Sequence, residues 1–381
     1  MINYPPGHQA SSGDFPLNSR RPRLQPLILL LLLGLTLNVQ AALKVQPVLK
    51  YLDSPWGMVF MPNGELLITM KTGALLRADL QTREAHWISG LPDSVVKGQG
   101  GLLDVIIHPE FAENHWVYLT FTRKVSGGYT TALARGQLQN DHLQNMRVLF
   151  TANAVNNNGH HFGSRLAFDQ AGFLYMTIGE RGERDYAQDL RRHNGKVIRL
   201  RDDGTVPEDN PFFARPDALP EIYSYGHRNP QGLVFDFASG RLWLHEHGPK
   251  GGDELNLIQA GHNYGWPLVT YGREYSGLEI TDKREMPGVT APVFYWDPSI
   301  APSGLTIYRG NLFGEWQGDL IVGALKYQLI TRVKMDGATA VGEERYLQDR
   351  QSRIRDLEVG PQGALYVLTD GSNAQLWRVT P

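Results

Sequence analysis

Met61-Pro62-Asn63-Gly64, a turn, leads into Glu65-Leu66-Leu67-Ile68-Thr69, an apolar strand. The same order returns as His108-Pro109-Glu110-Phe111 before Trp116-Val117-Tyr118-Leu119. It returns again as Asp169-Gln170-Ala171-Gly172 before Phe173-Leu174-Tyr175-Met176, and as Phe237-Ala238-Ser239-Gly240 before Arg241-Leu242-Trp243-Leu244. Trp316-Gln317-Gly318 precedes Asp319-Leu320-Ile321-Val322, and Gly360-Pro361-Gln362-Gly363 precedes Ala364-Leu365-Tyr366-Val367. Successive copies lie roughly 45 to 75 residues apart, room for four strands and loops of variable length. No helical period intervenes. A weak repeat of this kind is the trace that a β-propeller leaves in sequence. Six copies predict an all-β, six-bladed propeller with four-stranded antiparallel blades; a sandwich or an open sheet is the alternative. Lys44 to Tyr51 precedes the first copy and is expected to complete the last blade and close the ring.

Composition agrees. The 381 residues include 41 Gly and 23 Pro, as many tight turns require, and the 41% apolar fraction can build a large core. The first 41 residues read as a secretory signal peptide. Arg20, Arg21 and Arg23 precede an apolar run from Leu27 to Leu37, and Val39-Gln40-Ala41 offers a small-residue cleavage site. The run is short for a membrane span, so a periplasmic chain is expected and a retained anchor is the alternative. Arg20-Arg21 suggests twin-arginine export, but Pro22 and Arg23 fit that pattern poorly. Residues 42–381, read as one domain, carry 34 basic and 38 acidic side chains, a net charge of −4. No basic face argues for nucleic acid. The chain has no Cys, so disulfides do not hold the fold.

Residues 226 to 267 carry the densest chemistry. Gly226-His227-Arg228-Asn229-Pro230-Gln231-Gly232 is followed by Glu246-His247-Gly248-Pro249, Gly252-Asp253-Glu254-Leu255-Asn256 and Asn263-Tyr264-Gly265-Trp266-Pro267. Guanidinium forks suit carboxylates, and carbonyl oxygens exposed at Gly/Pro pairs suit calcium. Taken singly, Glu254 also reads as a surface acid, and Tyr264 and Trp266 as core. Gln99 stands in a Gly-rich loop, Gly98-Gln99-Gly100-Gly101, either as a solvated turn amide or as an amide aimed at a ligand. His160 and His161 enter what reads as a strand, where neighbours face opposite ways; this argues against a two-His metal site. One of the pair suits a general base, and a structural His is the alternative.

A second group is cationic. Arg353 and Arg355 flank Ile354 on a predicted strand and share a face. Two guanidinium groups there repel unless an anion lies between them; a solvated edge is the alternative. Lys326 follows the fifth repeat strand. With Arg228 these cations come from three repeats, and convergence at one end of the channel implies a small ligand with several negative charges.

Together these motifs resemble the soluble quinoprotein sugar dehydrogenases, which carry pyrroloquinoline quinone (PQQ) and calcium (Ca2+), and most of all their shorter bacterial aldose branch. The resemblance runs from about Trp56 to Trp377 and includes Gly-Ala-Leu-Lys and Arg-Ile-Arg in the expected order. It implies His161 as general base, with Arg165 in the same motif, and Gln99 near substrate and quinone. It implies that Arg228 and Asn229 contact the quinone, with Lys326, Arg353 and Arg355 on its carboxylates. Gly248 and Pro249 correspond to carbonyl ligands of the cofactor's calcium, Glu254 and Tyr264 to a second calcium site, with Tyr264 binding through its backbone, and Tyr275 to a residue near the substrate. Two positions depart from the glucose-oxidising branch: His160 replaces an acid and Phe162 a Gln. The chain is also shorter than that branch, so its dimer contacts and glucose preference do not transfer, and a monomer is expected.

The implied function is a periplasmic oxidoreductase that converts aldose sugars to lactones and passes electrons to an unidentified acceptor, a quinone or a cytochrome. Two other classes remain open on sequence: a calcium-dependent propeller lactonase, and a sugar-binding propeller without catalysis. The cation cluster favours the quinone, and His161 favours catalysis over binding.

Overall fold

Each repeat turn joins the first strand of a sheet to its second. The computed structural model describes residues 43–381; the expected signal peptide lies outside the described residues. The first strand is β1 (Lys44–Leu52). Blade one holds β2 (Pro55–Phe60), β3 (Leu66–Met70), β4 (Ala74–Ala78) and β5 (Ala85–Ile88). Blade two holds β6 (Leu102–Ile107), β7 (Trp116–Val125), β8 (Gly128–Gln139) and β9 (His142–Thr151). Blade three holds β10 (Leu166–Phe168), β11 (Leu174–Ile178), β12 (Lys196–Leu200) and β13 (Ile222–Tyr225). Blade four holds β14 (Pro230–Asp236), β15 (Arg241–Glu246), β16 (Asp253–Ile258) and β17 (Phe294–Trp296). Blade five holds β18 (Pro302–Ile307), β19 (Leu320–Ala324), β20 (Leu329–Asp336) and β21 (Thr339–Tyr346). Blade six holds β22 (Ile354–Val359), β23 (Leu365–Thr369) and β24 (Ala374–Thr380), with β1 as its outermost strand.

The expected fold is therefore observed: six four-stranded antiparallel sheets, almost without helix. The inner strands form a closed ring, β2 touching β6, then β10, β14, β18, β22 and back to β2. The anticipated closure is β1 on β24, from Lys44 opposite Thr380 to Leu52 opposite Ala374. The first strand thereby ties the last blade to the first blade's side of the ring through main-chain hydrogen bonds. No helix of the described residues is long and apolar enough to cross a membrane.

The core is distributed between blades. Leu67 packs toward blade two, in a cluster with Leu102, Val117 and Leu119. Its neighbours Leu66 and Ile68 face the other way, toward Leu368 and Leu376 of blade six. Strand side chains alternate faces, so a strand buried on both sides reads as a continuous apolar run. That explains why the repeat strands lack a polar face.

On the axis the packing is ionic. Arg165 meets Asp104 of β6 at 3.0 Å and Asp356 of β22 at 2.9 Å, and its guanidinium lies 4.3 Å from the Trp56 ring. The same carboxylates accept from main-chain N–H groups, Asp104 from Leu166 and Asp356 from Met58. Burial pushes Asp104 up to about 6, even against Arg165. Removing one member of a buried ion pair strands the others, so Arg165→Met is expected to cost about 3–5 kcal/mol in urea denaturation. Adding Asp104→Asn and Asp356→Asn to that variant should recover part of the loss; equal stability of wild type and Arg165→Met would show that the axis is not bound this way.

Candidate active site

The residues just before each inner strand, and those just after each second strand, meet at the end of the ring away from the repeat turns. They enclose a cavity of about 400 Å³ whose lining includes Gln99, Asn229, His247, Arg353, Arg355 and Asp370. That volume lies within the usual range for small-molecule sites, roughly 300–1,000 Å³. Five of the six inner strands slip register against their partners near this end, a bulge that re-aims side chains.

His161 does not stand on a strand, which corrects the sequence expectation. β10 begins only at Leu166, and His161 has φ 51°, a left-handed turn conformation. The alternation argument for the His pair therefore fails, and the two rings lie 6.2 Å apart. They still differ in environment: His160 is exposed and His161 partly buried. The loop is tied down by its backbone. The His161 N–H donates to Gln99 Oε1 at 2.8 Å, and Arg181 donates to the His160 carbonyl. Gly98 makes this approach possible. It has φ +61°, and a Cβ there would lie 2.5 Å from the Gly159 carbonyl oxygen.

The His161 Nδ1 is hydrogen-bonded to Glu180 Oε2. Glu180, buried at 3% exposure, also accepts from the Gly182 N–H at 3.0 Å. Burial would raise Glu180, but the bond to His161 and the Arg228 charge outweigh it and hold the carboxyl below its usual range. An ionised Glu180 fixes the tautomer: Nδ1 carries the proton and Nε2 the lone pair. Burial, the largest influence on His161, lowers it below its ordinary 6.5 even though Glu180 pulls upward. The imidazole is thus neutral near pH 7 and able to accept a proton.

Arg228 donates to the carbonyl oxygens of His247 at 3.1 Å and Gly248 at 2.9 Å. The Gly248 oxygen therefore faces a cation already, and Arg228 stands in for one. Asp253 sets that loop, accepting from the Gly248 N–H at 2.9 Å, from Ser299 Oγ and from the Ala301 N–H. No group of three or more His, Cys, Asp or Glu side chains among the described residues could hold a metal. A calcium here would draw on carbonyl oxygens and on its ligand, as such hard cations accept. Gly248 and the buried Pro249 fit that requirement.

The cations are partly spoken for. Arg353 Nε lies 2.9 Å from Asp370 Oδ2, and Arg355 bonds Asp370 Oδ1 at 2.9 and 3.0 Å. The anion expected between the two guanidinium groups is thus a residue of the chain itself, which corrects the inference that a ligand must supply it. Against the effect of burial, Arg355 and Arg353 hold Asp370 below the usual carboxylate range. Arg353 Nη1 also reaches the Leu325 carbonyl at 3.3 Å, one residue before the exposed Lys326, whose Nζ lies 5.3 Å from the Tyr327 ring. Two arginines against one aspartate leave a positive excess at the cavity, to which Lys326 on the neighbouring loop adds, so an anionic ligand fits.

Glu254 and Tyr264 belong to a separate pocket of about 380 Å³. The Tyr264 hydroxyl donates to the Leu257 carbonyl at 2.6 Å and accepts from the Gln259 N–H at 2.9 Å, so only its main-chain oxygen is free for a metal. Burial, with Glu246 adding its charge, pushes Glu254 well above the usual carboxylate range. Asn256 Nδ2 donates to both Glu246 and Glu254, while its buried Oδ1 has no partner. An all-oxygen set with an orphaned acceptor suits a hard cation. Tyr275 is 72% exposed, at the tip of a loop beyond this pocket.

Sequence reasoning missed Glu180, Asp370 and His247. Each follows the second strand of its blade by one or two residues, as Lys326 does. The repeat turns mark the far end, so one strand length beyond each turn marks the near end; that signal was available.

The sequence pattern of the Glucose / Sorbosone dehydrogenase family matches residues 52–378. The aldose sugar dehydrogenase YliI of Escherichia coli (strain K12) is 42% identical over 347 residues, 90% of this chain and 94% of that protein. Quinoprotein glucose dehydrogenase B of Acinetobacter calcoaceticus is 28% identical over 407 residues, 85% of this chain and 84% of that protein. Among solved structures, the apo-form of the soluble aldose sugar dehydrogenase from Escherichia coli superposes with a TM-score of 0.87 at 41% identity, covering 89% of this chain and 100% of that one. The PQQ-bound aldose sugar dehydrogenase from Streptomyces coelicolor superposes with a TM-score of 0.73 at 27% identity, covering 89% and 98%. This chain belongs to the glucose/sorbosone dehydrogenase family.

Proposed function

We propose that the chain is a periplasmic oxidoreductase that oxidises aldose sugars at C1 to lactones, with PQQ and Ca2+ as cofactors. The observation that carries this reading is the His161–Glu180 dyad beside a cavity lined by Arg353 and Arg355. Similarity to the aldose sugar dehydrogenases of Escherichia coli and Streptomyces coelicolor, the latter solved with PQQ bound, supports the substrate class and the quinone. The leader read over residues 1–41 supports the periplasm.

His161 Nε2 takes the proton of the sugar's C1 hydroxyl, and Glu180 stabilises the imidazolium that forms. The C1–H electron pair leaves as a hydride, and the C1–O bond becomes the lactone carbonyl. PQQ, when bound, supplies the acceptor for that hydride. Calcium held by the Gly248 and Pro249 carbonyl oxygens would supply Lewis-acid polarisation of a quinone oxygen. Arg228 places positive charge where negative charge develops, and Asn229 lies beside it. Lys326, Arg353 and Arg355 would hold the carboxylates of the quinone, while Gln99 and Tyr275 would contact the sugar. A quinone or a cytochrome then removes the electrons. The enzyme acts as a monomer.

Apo-protein is expected to oxidise aldoses only when both PQQ and calcium are returned, with the quinone spectrum bleaching on sugar addition. Equal activity with a nicotinamide cofactor, or after thorough chelation, would overturn the reading.

His161→Ala should lose about 10²–10⁴-fold in turnover while still binding PQQ. His160→Ala should be far milder, because its ring is exposed and the alanine keeps the carbonyl that Arg181 uses. His161 must be neutral to act, and its pKa is lowered. Activity should therefore fall on the acid side only below pH 6.5. A pH–rate profile with its acid limb above that value would contradict the assignment.

Glu254→Gln replaces a carboxyl that burial and the neighbouring Glu246 make costly to ionise. Without calcium and quinone, it should melt at or above wild type. On calcium titration only wild type should gain stability, by about 2.7 kcal/mol at a hundredfold excess over Kd. Parallel gains in both proteins would remove the second calcium site.

A further inference from the structure

The loop that carries Tyr275 leaves the body of the protein beside the candidate calcium carbonyls. The Lys250 N–H donates to the Arg273 carbonyl at 3.1 Å, and the Arg273 main chain then forms an antiparallel bridge with that of Glu279. Within this narrow arm the Glu274 N–H donates to Leu278 and the Gly277 N–H to Glu274. Its tip shows almost nothing to the protein: Tyr275 is 72% and Leu278 71% exposed. One side-chain bond reaches from the arm to another blade. Glu274 Oε1 lies 2.6 Å from Arg184 Nη1.

Arg184 opens a short 3₁₀ turn, Arg184–Ala187, four residues after Glu180. It belongs to the loop that orients the candidate base. Its guanidinium lies 5.7 Å from the Trp266 ring, and that of Arg228 lies 5.4 Å from the same ring. The bridge is therefore one indole away from Arg228. Glu274 feels the Arg228 charge as well as that of Arg184, and both hold it below the usual carboxylate range. The arm thus runs from the Gly248-Pro249 side of the site to the Glu180 side, and one ion pair fastens its free end.

We infer that the Arg184–Glu274 bridge is a positioning pair for the sugar: it holds the arm, with the exposed Tyr275 at its tip, against the loop that follows Glu180, and so sets sugar affinity rather than the rate of oxidation. The inference rests on the proposed aldose oxidation. The exposed face of Tyr275 suits a sugar ring, whose C–H face packs on aromatic carbon while its hydroxyls stay wet. Nothing in this arrangement touches the proton that His161 takes. Both partners are also well exposed, at 44% and 31%, so salt screens the bridge.

The test uses the holoenzyme and glucose as probe. Arg184→Ala and Glu274→Ala should each raise KM about two- to fivefold, the factor an ion pair of this exposure supports, with kcat nearly unchanged. The exchanged pair Arg184→Glu/Glu274→Arg should bring KM back toward wild type. The KM of wild type should rise with ionic strength, and that of Arg184→Ala should not. Hydrogen exchange of apo-protein gives a readout free of activity: amides 274–278 should exchange faster in Arg184→Ala, with the rest unchanged. Unchanged KM in the single variants, or an exchanged pair no better than either, would overturn the inference. If wild type oxidises no aldose, the function reading falls instead, and the exchange rates alone decide whether the bridge holds the arm.

Discussion

Arg165 is held on the propeller axis by Asp104 from blade two and Asp356 from blade six, in a space that water barely reaches. Burying three charges is expensive, and their mutual attraction offsets that cost only with good geometry and further hydrogen bonds. Both conditions are met: the carboxylates also accept from the Leu166 and Met58 N–H groups, and Arg165 Nε donates to the Gln231 carbonyl. What this achieves is registration. Asp104 lies five residues beyond Gln99, Arg165 four beyond His161, and Asp356 next to Arg355. One ionic knot fixes the starts of three inner strands, and from each start a candidate site residue projects. Blades joined only by apolar contacts could slide; blades joined by this knot cannot without exposing a buried charge.

The same economy of charge governs the cavity. Arg353 and Arg355 would repel each other on a shared face, and Asp370 prevents it. The aspartate does more than neutralise. It fixes two flexible side chains before any ligand arrives, which lowers the ordering cost of binding. Because Lys326 and Arg353 remain substantially exposed, the cluster keeps a net positive field. Glu180 does for His161 what Asp370 does for the arginines, setting one tautomer in advance. Burial then decides the direction of titration, since desolvation outweighs the attraction of Glu180 and keeps the ring neutral.

The fold was legible because the repeat is a matter of backbone turns and two-faced burial, both written locally. Ring closure by β1 was legible for the same reason: a lone strand ahead of six copies has one place to go. The contents of the site were less so. Gln99, Asn229, Arg353 and Arg355 could be found by residue type and do share one cavity. Glu180 and Asp370 could not be found by residue type, because an acid beside a Gly in a loop is an ordinary turn until its partner is known; only their place one strand length beyond a repeat turn marks them. The His pair was misread through the period of a strand. Three glycines, Gly159, Gly163 and Gly179, surround the loop, and a Cβ on Gly179 would lie 2.2 Å from the His161 carbonyl oxygen. Such crowding forces the chain into a left-handed turn that alternation cannot describe. The second pocket shows the reverse case. Glu254 had no partner in sequence, and in the structure its neighbour Glu246 raises its energy rather than lowering it.

The two halves of the site are built differently, and this bears on how they respond to change. The half that would hold the quinone is made of residues at strand ends, braced by the axial knot and by the bulges beside it. The axial charges that brace it are buried, so salt screens them little. The half that would hold the sugar is made of loops, from Glu180 to Ala187 and from Arg273 to Glu279, and the bridge between them lies in solvent. Loops on a rigid frame can vary without loss of the fold. A shared propeller therefore constrains the cofactor chemistry far more than it constrains the sugar. The arm and its bridge to Arg184, rather than the blades, are where this chain can differ from its relatives in what it oxidises.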